Sequence, residues 1–271
     1  MSKNLDYIFK FAQTLVQGYS DNLYARTREG RIGSGFETEV NSTFSSLIAR
    51  QTTLAMGLAE SPQSWNPHIA PLFLRPMIEC LIMVRWIRLD PLIRSKEYIN
   101  FGLGSEKLLA HHYQKAIQDE PDGDAREKIE SIAELSLAWI DGQQFQQFVE
   151  VNLGSWAGQS VRKMAQDASC EDLYNFAYVP FSGSIHNQWN HVGKFNVVRC
   201  SNPMHKQHYI GSIIEIDFIV DFVYRSVKYL SLTLDEFDEF YEFKTEQKPP
   251  EEIFRDALAL MPQQEDENPS A

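Results

Sequence analysis

The chain has 271 residues, 43% of them hydrophobic, and carries a formal net charge of −12 with a pI near 5.1. That is enough apolar material for one substantial core, and the acidic balance, with no run of five Lys or Arg, excludes a protein whose overall field recruits a phosphate backbone. Three widely spaced cysteines, Cys80, Cys170 and Cys200, lack CxxC spacing and read as reduced thiols of a cytoplasmic protein rather than a disulfide framework or zinc site.

In chain order, Leu5, Ile8, Phe9, Ala12, Leu15 and Val16 repeat at helical spacing, and Val40, Phe44, Leu47 and Ile48 do so after a Gly-rich interruption at Gly30 to Gly35. The N-terminal segment is amphipathic and lacks the apolar stretch and cleavage site of a signal peptide. A loop with three prolines, Ser61 to Pro71, leads into LFLRPMIECLIMVRWIRL, residues 72–89, apolar on nearly every side and punctuated by Arg75, Glu79, Arg85 and Arg88. This predicts a central helix with Pro76 near its first turn or kinking it. Two more helices, Ser95 to Gln118 and Asp124 to Trp139, flank the turn EPDGD.

Residues 141–168 read as two short helical pieces around Leu153 to Gly158. Glu171 to Trp189 resumes an aromatic pattern through Tyr174, Tyr178 and Phe181, with a bend at Pro180 and Gly183. His208 to Leu232 predicts a regular helix with a wide apolar face, interrupted by too many charges to span a membrane. Thr233 then opens TLDE as a capping box for a short acidic helix. The whole is an all-α, single multi-helix bundle over residues 1–245. A polar, acidic tail over 246–271 carries one short amphipathic helix, EEIFRDALALM, and its last ten residues are expected to be disordered. No sheet of three or more strands is expected.

The familiar catalytic signatures, from phosphate-binding loops to HExxH, are missing. His205 and His208 form an isolated HxxH and read as exposed histidines, so neither a metal nor a cofactor is assigned. Two constellations stand out. Arg75 and Glu79 lie four apart in an apolar helix and can pair there, either as a structural ion pair or as part of a site. Ser182, His186 and Asn190, spaced by four, line one face of a helix, with Asn187 and His191 on a neighbouring stripe. A histidine between a hydroxyl and an amide is held in one tautomer, which suits acid or base work. The same pattern also suits a core histidine satisfying a buried carbonyl.

LFLRPMIECLIMVRWI and SWAGQSVRKMAQDASCEDLYNFAYVPFSGSIHNQWNHV carry an Arg-x-x-x-Glu helix, a Trp before an alanine-ended helix, then a Tyr and Ser-x-x-x-His. Over about residues 40–230 this resembles the prokaryotic family named domain of unknown function 5677. By more distant analogy it is similar to the HEPN helical domains of abortive-infection and toxin systems, where an arginine and a histidine act together on RNA. Those nucleases carry the two residues four to six apart on one helix. No arginine stands so before His186, and the spacing Arg199 to His205 encloses a proline-containing loop.

What the resemblance implies is a HEPN-like bundle and a defence or toxin-type effector, read as a metal-independent ribonuclease. His186 would move the proton, Arg75 from another helix would stabilise phosphate charge, Glu79 would orient Arg75, and Lys194, Arg199 and Lys206 would supply a positive patch. Ser182, Asn187, Asn190 and His191 are the binding residues of this reading. The alternative is a non-enzymatic helical protein that binds a partner. The expected partners are RNA, a cognate protein of the same defence system, or a second copy of the chain. A shared site requires Arg75 or Glu79 within reach of His186 across packed helices.

Overall fold

The most buried element is helix α3, Ala70–Arg88, in which Leu74, Met77, Ile78, Leu81, Ile82, Val84 and Ile87 are wholly shielded from solvent. Its near-continuous apolar sequence places it at the centre, because only an element covered on most sides can bury residues at every phase of the helix. The computed structural model describes residues 2–28, 38–119, 123–143 and 158–260. The glycine-rich interruption, Trp156, most of the 141–158 stretch and the last ten residues lie outside the described residues.

Around α3 stand α1 (Ser2–Thr27), α2 (Thr38–Ala59), α10 (Asp221–Tyr241) and α11 (Pro250–Ala259). Helices α2 and α10 pack on α3 and on each other, and α1 closes the far side of α2 with α11. A buried polar link joins the three central helices. Gln51 Nε2 of α2 donates to the main-chain carbonyls of Met77 on α3 and Tyr229 on α10, each at 3.1 Å, and to Thr233 Oγ1 at 2.9 Å. Helix α1 is fastened to α10 by Arg26, whose Nε and Nη2 reach both oxygens of Asp238 at 2.7 and 2.6 Å. Gly18 lets α11 approach α1, since a Cβ there would stand 2.6 Å from Ile253 Cδ1.

Helices α4 (Pro91–Asp119) and α5 (Asp124–Gly142) form an antiparallel pair; α4 packs on α2, and α5 packs on α4. A chain of short elements follows: α6 (Val161–Asp167), α7 (Glu171–Leu173), a π-helical turn (Tyr174–Tyr178), α8 (Val179–Ile185), α9 (Trp189–Phe195) and the strands β1 (Val197–Arg199) and β2 (Tyr209–Gly211). Among them α6, the π turn and α8 pack on α3. The strands form an antiparallel hairpin with Val198 opposite Ile210. No described helix is long and apolar enough to cross a membrane.

The all-α expectation holds, and three local expectations do not. The helix predicted over His208 to Leu232 begins only at Asp221. In the segment before it, half-buried Ser212, Ile214 and Ile216 alternate with exposed Ile213, Glu215 and Asp217, a period of two that suits extended chain and β-branched side chains. Hydrogen bonds from Ser212 N to Asn196 O (2.9 Å) and from Ile219 N to Trp65 O (2.8 Å) hold that path. Thr233 is not a cap. It is buried in the middle of α10, where its hydroxyl donates to Tyr229 O at 2.8 Å, because the apolar series Leu230, Leu234, Phe237 runs through it unbroken.

The third concerns residues 171–189. The helix stops at Ile185 in a left-handed turn: Asn187 has φ +51°, Gln188 N donates to Gly183 O at 2.9 Å and Asn187 N to Ser184 O at 3.4 Å. This hydrogen-bond pair satisfies the last carbonyls, and Asn tolerates the left-handed conformation better than most residues. A new helix starts at Trp189. Ser182, His186 and Asn190 therefore do not share one helix face.

Candidate functional site

Arg75 leaves the exposed side of α3 and meets the short elements packed there. Its Nε donates to Ser182 Oγ at 3.1 Å and its Nη2 to Tyr178 Oη at 2.5 Å, while the guanidinium lies 4.6 Å from the centre of the Tyr178 ring. Ser182 Oγ in turn donates to Tyr178 O at 2.9 Å, and the Tyr178 ring stacks on Tyr174 with centroids 5.1 Å apart. The guanidinium is thus held by a hydroxyl, a phenol and an aromatic face, which fixes its plane.

The expected Arg75–Glu79 pair is not formed: among the described residues, the hydrogen bonds of Arg75 go to Tyr178 and Ser182. Ser182 and Tyr178 present polar oxygens at the level of Arg75, so the guanidinium bonds across the helix interface instead of along its own helix. Glu79 acts here through its field. Burial raises the Tyr178 phenol above its ordinary pKa, the Glu79 charge raises it further, and the charge and hydrogen bond of Arg75 oppose both.

His186 follows one turn after Ser182, and its N–H donates to Ser182 O at 3.0 Å. It caps the end of α8 and is exposed; its side chain makes no hydrogen bond among the described residues. The reading of a core histidine bonded to a buried carbonyl is therefore corrected, because the turn at Asn187 ends the helix before its histidine can face the core. Arg75 and His186 lie on the same edge of α3, linked through Ser182.

Asn187 occupies the turn and is exposed, while Asn190 and His191 belong to α9. Asn190 packs against α8 at Gly183, where a Cβ would stand 2.8 Å from its Oδ1, so glycine at 183 permits the close crossing of α8 and α9. The half-buried His191 turns to the loop before α3: its Nε2 is 3.3 Å from His68 Nδ1, and both rings contact Phe195. Asn66 Oδ1 fixes that loop by accepting from His68 N and Ile69 N at 2.9 and 3.1 Å. Burial, then the charges of His68 and Lys194, hold the His191 pKa below the ordinary histidine value.

Two participants escaped sequence reasoning. Tyr178 stands one turn before Ser182, a spacing that was available as a signal. His68 had none, since it lies more than a hundred residues from its partner. A concavity of about 740 Å³, lined by Asp21, Tyr24, Arg28 and residues 244–247 among others, lies elsewhere on the molecule and includes no residue of this cluster.

Residues 41–204 match the family of unknown function DUF5677, and the chain belongs to that family. The matched span runs from the start of α2 to the hairpin loop, so it contains α3, Arg75, Tyr178, Ser182 and His186 together. No characterised curated protein and no solved structure matches the chain.

Proposed function

We propose that this edge of α3 is an RNA-acting site of a prokaryotic defence or toxin-type effector, with a metal-independent ribonuclease reaction. The observation that carries the reading is a clamped guanidinium bonded to Ser182, one helical turn before an exposed histidine whose side chain makes no hydrogen bond among the described residues. By analogy with HEPN-like domains, Arg75 stabilises the charge that develops on the scissile phosphate, and Tyr178 and Ser182, rather than Glu79, orient it. His186 accepts the proton of the ribose 2′-hydroxyl as the 2′-oxygen attacks phosphorus. The P–O5′ bond breaks, the leaving oxygen takes a proton from water, His186 returns its own proton to solvent, and a cyclic phosphate and a 5′-hydroxyl result. Exposed Lys194, Arg199 and Lys206 on α9 and the hairpin supply local positive charge for the RNA backbone on an otherwise acidic protein.

The test compares wild type, His186→Ala and Arg75→Ala at matched amounts of folded protein for RNA cleavage or cell toxicity. Because His186 is exposed, its loss should leave the melting temperature nearly unchanged while lowering the cleavage rate on the order of 10²-fold or more. Equal activity in the three proteins rejects the reading. A second reading has its own support: Phe176, Val179 and Trp189 on the same flank are 77%, 46% and 68% exposed. Large exposed apolar side chains suit a protein-binding face, for a cognate protein or a second copy of the chain. An inactive wild type that loses a partner on Trp189→Ser favours that reading.

A further inference from the structure

The hairpin that follows α9 brings together three side chains with metal-ligating chemistry. Strands β1 and β2 pair up to Arg199 and Tyr209, and the next rung, Cys200 N to His208 O at 2.9 Å, sets Cys200 beside His208 at the mouth of the loop. The loop folds His205 back over them: His205 N donates to Asn202 O at 3.0 Å, and Gln207 takes a left-handed φ of +62°. Cys200 Sγ then lies 3.7 Å from His205 Nδ1, the rings of His205 and His208 are 5.4 Å apart, and one ligand atom from each of the three residues falls within 4.8 Å of the others.

We propose that Cys200, His205 and His208 bind a zinc-class divalent ion, with water in the fourth position. One thiolate and two imidazoles are the donors that such an ion prefers. Zn–S near 2.3 Å and Zn–N near 2.0–2.1 Å in a tetrahedron place sulfur and nitrogen roughly 3.6 Å apart. The observed 3.7 Å is close to that separation. The sequence alone suggested an isolated HxxH because the third donor stands five residues upstream; the pairing of the strands closes the gap.

Asn202 borders the site: its Oδ1 accepts from Met204 N at 3.0 Å and its Nδ2 lies 3.3 Å from His205 Nε2, so Nδ1 is the ring nitrogen turned to the sulfur. The thiolate is the ligand form, so binding an ion displaces the thiol proton. His205 and His208 are exposed and Cys200 half-buried, so the ion has open access. None of the three contacts Arg75, Tyr178 or Ser182 among the described residues, and the proposed ribonuclease step does not pass through the ion.

Cobalt(II) titrated into the reduced, full-length chain tests this without any activity assay. The expected result is a saturable thiolate-to-cobalt charge-transfer band in the near ultraviolet, at one ion per chain and displaced by zinc. Cys200→Ser abolishes the band and Cys170→Ala keeps it. His205→Ala and His208→Ala each weaken binding at least about 100-fold, beyond the ~10–100-fold that outer-shell partners contribute. Far-ultraviolet circular dichroism confirms that each variant keeps its helices. Absence of the band in the folded wild type, its survival in Cys200→Ser, or unchanged affinity in either histidine variant overturns the site.

Discussion

The bundle of α1, α2, α3, α10 and α11 and the chain of short elements over 161–211 use the same residue types for different ends. In the bundle two polar side chains are buried and paired across helices: Gln51 Nε2 reaches three acceptors on two helices, and Arg26, 4% exposed, meets both oxygens of Asp238. In the flank the polar groups sit at the rim. Arg75, Ser182 and His191 are half-buried, His186 is exposed, and every helix is seven residues or shorter. Long helices supply rigidity by burying whole apolar faces, and short ones docked on them can aim polar side chains outward without leaving main-chain groups unsatisfied in the core. The difference predicts that substitutions in the bundle act on stability and substitutions in the flank act on function.

The largest effect should follow Arg26→Ala. It leaves Asp238 without its partner between α1 and α10 and should cost about 3–5 kcal/mol, read from denaturant unfolding. A change below about 1 kcal/mol would mean that water replaces the pair and that the bundle is looser there than its geometry implies. Gln51→Ala should cost roughly 1–3 kcal/mol, since Met77 O and Tyr229 O lose a buried donor. Gly18→Ala forces a methyl into Ile253 and should destabilise by about 1–3 kcal/mol, unlike an ordinary helical Gly→Ala change, which stabilises.

In the flank, Ser182→Ala removes one acceptor of Arg75 and should change stability by no more than about 1 kcal/mol. Activity should fall further than stability if the guanidinium must be aimed, and the two should fall together if the contact only packs α8 on α3. The smallest effect concerns pH. The His191 pKa is depressed in the folded chain, so protons bind the unfolded chain more readily. The stability contribution of His191 is complete above the ordinary histidine value of about 6.5 and is lost as the pH falls through it towards the folded value. Melting temperatures should therefore decline from about pH 7.5 to about pH 5.5, and His191→Gln should lessen the decline. An unchanged slope would assign it to other groups.

How much of this was legible in the sequence differs between the same two regions. Residues 72–89 announced a central helix because their apolar character persists at every phase, and helix α3 occupies 70–88. Local patterns failed where two periods coexist. Ile210, Ile213 and Ile214 fit a helix, Ile214 and Ile216 fit an extended chain, and the anchors that chose the second, Asn196 and Trp65, are remote in sequence. Arg75 and Ser182 were both legible as polar residues in apolar settings. Their contact was not, because it depends on how α8 docks on α3, with the two residues 107 positions apart in the chain.

By itself the sequence determined the all-α class, the central helix, and the two segments from which the candidate site is built, since burial and helical period are written into neighbouring residues. Only the tertiary structure decided which partners those segments take. It gave Arg75 to Tyr178 and Ser182 rather than Glu79, ended α8 at His186, paired His191 with His68, and folded Cys200 towards His205 and His208. The physical reason is range: periodicity and capping act over one or two turns, whereas a side chain chooses its partner from whatever packing places within about 3 Å of it.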